Sequence, residues 1–343
     1  MKTAPPRARG AALLAAMLTV TLVATFAAAA LWQQWRAAQV EAAERDRMQS
    51  SWILVGALDW ARLILREDAN TGGADHLSEP WAVPLEDARL STFLAADKNN
   101  TATDAGEGLP DAFLSGYIID AQSKLNATNL INANAPDAPA RRAFTKLFQI
   151  LGLPPSEVEV LVNGMRQAGA SVPASGGASS SATSSDASSA SATTNANANA
   201  PLMPQQLRQI GWFGLSSTTI AALEPYVTIL PQATPLNVNT ASAEALAASV
   251  PSLDLASAQR LVTQRMLRPF STLSDANNLI AESNAQFSEG QHGVASSFFE
   301  VRGRLRLDKN WSEERSLLWR NGRNIQIVWR ERGAGMAAPA DKP

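Results

Sequence analysis

The chain has no cysteine and only two histidines and two tyrosines in 343 residues. Without thiols there can be no disulfide and no thiolate metal site. With His76 and His292 as the whole supply of imidazole, no Ser-His-Asp constellation has persuasive spacing, and each histidine reads as a surface or loop residue. Charge is sparse as well, at 17% of residues, and almost balanced, with a net charge of -2 and a pI near 5.8. That balance gives no bulk attraction to nucleic acid or to an anionic membrane. Paired acids such as Glu86-Asp87 and Glu313-Glu314 read as solvated charge, so the chain is expected to be no enzyme.

What the sequence does have begins with an apolar run. Gly10 to Trp35 carries no ionisable side chain. That is about 26 residues, against about 7 to 15 for a secretory h-region and about 20 for a bilayer-spanning helix. Lys2, Arg7 and Arg9 precede it, a placement that holds this end in the cytoplasm and sends the remainder across. A cleaved signal peptide ending in the alanines Ala27 to Ala30 is the competing reading. From Leu31 to Asp68 there is no proline and one glycine, Gly56, among strong helix formers. Apolar residues recur at helical spacing, first Met48, Trp52 and Val55, then Leu54, Leu58, Ala61 and Leu65. The expectation is one rod of roughly 87 Å from Ala11 to Asp68, apolar in its first half and packed on an antiparallel sheet in its second.

Residues 168–200 are nearly all Ser, Ala, Gly, Thr and Asn. Such a segment cannot bury enough apolar area to offset its ordering entropy, and it reads as a disordered linker. Residues 333–343 read as a disordered tail. Strands are expected in Gly116 to Leu130, with a turn near Ala121 to Ser123, and in the alternating block from Phe298 to Arg330. There Val301, Gly303, Leu305 and Leu307 share one face, and Arg302, Arg304 and Arg306 the other. Those arginines read as solvation of the sheet and blunting of its edges. Asn321-Gly322 marks a hairpin turn.

Between these strand groups the signals are of short helices. The distinctive stretch is Pro235 to Leu279: Asn239, Thr240 and Ser242 are cap types before AEALAAS, Ser257 is expected to open a second helix, and Pro269-Phe270 starts the next step. This stretch resembles helix-hairpin-helix units, whose members often bind DNA through backbone N–H groups. Here the hairpin reads Pro251-Ser252-Leu253-Asp254, with no glycine, and Asp254 would repel a phosphate. A packing or protein-binding unit is therefore expected, and no nucleic-acid partner. The second functional reading is a membrane-anchored helix-hairpin-helix DNA-binding protein of a competence-type uptake system.

The order of parts resembles the general secretion pathway protein K family, the K-type minor pseudopilins of bacterial type II secretion. The matching motifs are RARG at Arg7 to Gly10, GYIIDAQSKLNATNL from Gly116, LNVNTASAEAL from Leu236 and the strand block. The resemblance implies an α+β fold: a long N-terminal membrane and amphipathic helix on an antiparallel pilin-like sheet, with a large all-helical insertion between strands. The implied segments are a leader at 1–10, a transmembrane helix at 11–35, a pilin-like part at 36–135, a helical insertion at 136–290, and strands at 291–332. It further implies cleavage between Gly10 and Ala11 by prepilin peptidase, and N-methylation of Ala11. The fifth mature position, a glutamate in most pilin-like subunits, is Ala15 here, as is typical of K subunits. Implied partners are the I- and J-type minor pseudopilins and the inner membrane, with the main domains periplasmic. The implied role is to initiate and cap the secretion pseudopilus at its tip, for export of folded proteins across the outer membrane. No cofactor is required. Family members bind calcium, and the loop bearing Asp97, Asn99, Asp104 and Glu107 has oxygen ligands suited to it, although its spacing does not follow the EF-hand.

Overall fold

The computed structural model describes residues 11–90, 112–133, 135–170, 201–280, 284–307 and 310–335. Helix α1 runs Ala11–Thr71, unbroken over 61 residues, which at 1.5 Å per residue is about 92 Å. It is the one helix among the described residues long and apolar enough to cross a membrane. Its first part is exposed throughout; packing begins at Ser50 and continues through Leu54, Leu58, Ala61 and Leu65, all buried. The second expected stripe is thus the one that packs. Met48 and Trp52 of the first are exposed, at 59% and 74%. At 100° per residue Trp52 lies about 160° and Met48 about 120° around the helix from Leu54, so one face took the sheet and left another bare.

The sheet beneath α1 has five strands in the order β1-β2-β7-β8-β9. These are β1 (Leu85–Arg89), β2 (Ala112–Asp120), β7 (Phe298–Leu307), β8 (Asn310–Asn321) and β9 (Asn324–Gly335), each antiparallel to its neighbour. Val301, Leu305 and Leu307 face α1 and are buried, as their alternation requires. Gly303 lies opposite Gly116. A side chain at Gly116 would meet the backbone carbonyl of Arg302 at 2.7 Å, so glycine there lets β2 lie close against β7, and a side chain at Gly303 would come within 3.5 Å of Leu54 on α1. The β8–β9 turn is displaced by one residue from the expected Asn321-Gly322. Asn321 still pairs with Asn324, and the linking pair is Gly322-Arg323, with Gly322 at φ 57. The first residues of the expected tail are strand, because Gly333 pairs with Glu313 and Gly335 with Trp311.

Between β2 and β7 lies the helical insertion. After a 3₁₀ turn at Ala121–Ser123 come β3 (Leu125–Asn126), α2 (Pro139–Ile150) and α3 (Pro155–Ala170). There follow α4 (Ser217–Leu223), β4 (Val227–Thr228), β5 (Leu236–Asn237), α5 (Ala243–Ser249), α6 (Leu255–Leu267), α7 (Leu273–Asn277) and β6 (His292–Gly293). It is not wholly helical: β3 pairs with β4 and β5 with β6, both parallel. Its core takes in Leu125 and Leu130, so it starts earlier in the chain than residue 136. Helix α3 carries on through buried Ala168 to Ala170, so the first residues of the expected linker are helical. A side chain at Gly164 in α3 would collide with Phe213 at 2.4 Å; this close approach joins the chain before that stretch to the 3₁₀ helix Leu207–Phe213 after it.

The two faces of α1 predict different costs of truncation. Leu65→Ala, at a site with no exposure, is expected to lower unfolding free energy by about 2–5 kcal/mol. Leu63→Ala, at 57% exposure, is expected to change it by no more than about 0.5 kcal/mol. Denaturant melts of the detergent-solubilised chain measure both, and equal effects would contradict the assigned packing face.

Candidate functional site

The insertion joins the sheet at the C-terminal end of α1, through a buried polar cluster. At its centre is Asp120, the last residue of β2, at 2% exposure. The chain turns there because Asp120 Oδ1 accepts from the backbone N–H of Gln122 at 2.8 Å, an Asx-type turn. Its Oδ2 accepts from Asn237 Nδ2 at 2.9 Å, Thr240 Oγ1 at 2.5 Å and Ser296 Oγ at 2.7 Å. Burial pushes the Asp120 carboxyl up to about 6, against the pull of these donors. Asn237 also donates to the Asp75 carbonyl. Gln122 clamps the cluster from its other side, donating to the Pro235 carbonyl and accepting from Ser297 N–H.

Arg320 on β8 completes the junction. It pairs with Asp68 near the end of α1 at 2.5 Å and with both oxygens of Asp75 at 2.5 and 2.6 Å. It also donates to the Ser296 carbonyl and lies 4.7 Å from the Phe299 ring centroid. Asp75 Oδ2 accepts from Ser296 N–H as well. Burial raises the carboxyls of Asp68 and Asp75 despite Arg320, with Glu79 adding to the rise at Asp68. Asp68, Asp75 and Glu79 bring carboxylate oxygens within 4.8 Å of one another. A cation there would compete with the Arg320 guanidinium, while Glu79 Oε2 already accepts from His76 N–H and Trp81 Nε1.

The expected site residues fall elsewhere. Ala11 is the first residue of α1, and Ala15 is exposed within it. Gly10 lies outside the described residues, as do Asp97, Asn99, Asp104 and Glu107. The hairpin is as expected between α5 and α6, but α6 opens at Asp254 rather than Ser257: the Asp254 carboxylate accepts from Ser257 N–H at 2.6 Å and caps the helix. That hydrogen bond takes a backbone donor and holds Asp254 below the usual carboxylate range. On the other side Lys146 Nζ donates to the carbonyls of Val250, Pro251 and Leu253 at 2.7 to 2.9 Å. The hairpin is thereby tied to α2 by an ammonium.

Sequence reasoning did not find the junction, although two signals were visible. An acid ends the apolar strand YIID, and Asn237, Asn239 and Thr240 crowd the entry to α5. Asn239 clasps Phe270 through both its N–H and its carbonyl at 2.9 Å. His292 is likewise no surface residue. At 3% exposure it contacts Ser249 Oγ at 3.0 Å and stands edge-on to Phe287, because β6 carries it under α5.

Burial pushes the His292 imidazole down to about 4. The unfolded chain, with its histidine near 6.5, binds the proton more readily, so this contribution is complete above pH 6.5 and is lost as pH falls through about 4. The stability difference between the native chain and His292→Gln is expected to shrink by about 3 kcal/mol between pH 7 and pH 4. Chemical denaturation at the two pH values measures it, and a pH-independent difference would contradict the buried neutral imidazole.

With this geometry established, comparison with known proteins is informative. Two family models, both described as type II secretion system protein K, match residues 123–232 and 236–295. The chain is 24% identical to the type II secretion system protein K of Pseudomonas aeruginosa, covering 95% of this chain and 93% of that one. It is 26% identical to the protein of the same name from Pectobacterium carotovorum, covering 95% and 97%. Its fold is shared with a chain in the crystal structure of the GspK-GspI-GspJ complex from the enterotoxigenic Escherichia coli type 2 secretion system, with a TM-score of 0.59 at 18% identity, over 85% of this chain and 98% of that one. The matched segments begin just after β2 and end just before β7, so they span the insertion and take in Asn237 and Thr240, two of the donors to Asp120, and the chain belongs to the type II secretion system protein K family of minor pseudopilins.

Proposed function

We propose that this subunit sits at the tip of the secretion pseudopilus, where it initiates and caps assembly and has no catalytic role. The observation that carries this reading is the position of the insertion. It is fixed where α1 ends, because Asn237 donates to the Asp75 carbonyl and Ser296 N–H to the Asp75 carboxylate, and Arg320 ties Asp75 to Asp68 of α1, at the end of the rod farthest from the apolar segment. A further subunit stacking on that end would meet the insertion. Below it, Met48, Trp52 and Leu63 remain exposed on the outer side of α1, a stripe suited to the helices of partner subunits. The relative of known structure is in a complex with GspI and GspJ, and partners of those types are the ones proposed here.

The same reading makes the apolar half of α1 a single-pass inner-membrane anchor with a cytoplasmic N-terminus and periplasmic main domains, following the basic residues Lys2, Arg7 and Arg9. Prepilin peptidase would cleave between Gly10 and Ala11, leaving Ala11 as the N-methylated terminus. At the fifth mature position Ala15 fits a terminal subunit. A carboxylate there with no neighbouring amine to pair would cost several kcal/mol in an apolar surrounding, and alanine avoids that cost.

Two measurements test the reading. Gold-labelled subunits in overproduced fibres are expected at one end only, and label along the shaft would refute the tip position. Mass spectrometry of the mature chain is expected to find methylated Ala11 first. Gly10→Trp is expected to retain the leader and abolish secretion, whereas a mature terminus at Leu31 or Met1 would contradict the processing.

A further inference from the structure

The hairpin between α5 and α6 is closed by a group from outside it. Three of its carbonyls, those of Val250, Pro251 and Leu253, converge on the Lys146 ammonium of α2 at 2.8, 2.9 and 2.7 Å. They are free to do so because α5 ends there. Val250 is its C-cap, and the last carbonyls of a helix have no intrahelical donor. The Leu253 N–H returns to the Val250 carbonyl at 3.3 Å, which folds the loop into a cup. Burial pulls the Lys146 ammonium below the usual lysine range, with the Asp254 charge working against that shift, so a charge is partly desolvated to fill the cup.

Size and chemistry set what such a cup holds. Its oxygens are neutral carbonyls. Calcium draws oxygens in to about 2.3–2.6 Å and magnesium to about 2.0–2.1 Å, closer than these stand to the ammonium, and both ions favour carboxylates. The nearby Asp254 carboxylate is turned instead to the Ser257 N–H at 2.6 Å. A large monovalent cation fits, since backbone carbonyls replace the hydration shell of potassium, and the lysine ammonium is a compact point charge with three donors. Pro251 and Ser252 at the rim are exposed, which gives an ion a way in from solvent.

We propose that this hairpin is a site for a potassium-sized monovalent cation, and that the chain supplies the cation itself as Lys146. The tether has two effects. It makes the hairpin independent of the ions in solution, because an attached cation is not lost by dilution. It also closes the site to anionic ligands. A free ion would keep an outer face for a phosphate or carboxylate, whereas the ammonium spends its three N–H groups on the three carbonyls. Positive charge alone does not meet the requirement, because a guanidinium is a planar fork and cannot aim three donors into a compact cup.

Hydrogen exchange at the Leu253 and Ser257 amides tests this, with the full chain in detergent micelles and potassium chloride replaced by choline chloride at equal ionic strength. In Lys146→Ala both amides are expected to exchange about tenfold more slowly in potassium, the gain that a ligand at about ten times its Kd provides. The native chain is expected to exchange alike in the two salts. Lys146→Arg, which keeps the charge, is expected to lose protection at these amides in both. If Lys146→Ala opens too fast to follow, thallium NMR decides: thallium(I), a potassium-sized probe, is expected to give a bound signal that potassium displaces and that the native chain does not show. Equal exchange of Lys146→Ala in the two salts, no thallium signal where exchange is too fast, a potassium response at these amides in the native chain, or full protection in Lys146→Arg would overturn the proposal.

Discussion

A carboxylate in the interior must be surrounded by donors, and Asp120 meets that requirement with groups drawn from three separate parts of the chain: Gln122 in its own turn, Asn237 and Thr240 in the insertion, and Ser296 at the return to the sheet. Each hydrogen bond to a buried charged group is worth about 1.5–3 kcal/mol, and its loss leaves an expensive unpaired charge. The insertion leaves the sheet through this cluster and comes back through it, so the orientation of one part constrains the other. Arg320 extends the constraint to α1 through Asp68 and Asp75. The apolar rod, the sheet and the insertion are thereby held as one body along the axis that the proposed tip position requires.

The rod contributes the second constraint. Its buried stripe from Ser50 to Leu65 anchors the sheet, while the opposite stripe and the first half find no cover among the described residues. Exposed apolar area of this extent is tolerated only where lipid or partner helices cover it. A subunit with one saturated and one bare helix face is built to join others laterally. In the proposed tip position, the insertion at the far end would limit growth in the axial direction.

Much of this architecture was legible in the sequence because it depends on local periodicity. The long helix, the alternating arginines of β7 and the strand–helix–strand order could all be read directly. Where the reading slipped, a long-range competitor decided. Periodicity marked two stripes on α1 but could not say that Leu54 and Leu58, rather than Met48 and Trp52, would meet the sheet. The turn at Gly322-Arg323 moved by one residue because the pairing of Asn321 with Asn324 sets the register. Asp254 took the cap expected near Ser257 because its carboxylate reaches the Ser257 N–H. The junction escaped altogether. Asp68, Asp75, Asp120, Asn237, Ser296 and Arg320 share no periodicity, and only the folded chain brings them together.

The coupling through Asp120 is the central claim, and native-state hydrogen exchange on the full chain with Thr240→Val tests it most directly. The substitution keeps the side-chain shape and removes one donor to Asp120. If the junction binds the two parts into one unit, amides at the β2 and β7 ends of the sheet and amides around β5 and α5 will lose protection together, by similar free energies. Loss of protection confined to the insertion, with the sheet unchanged, would contradict the account.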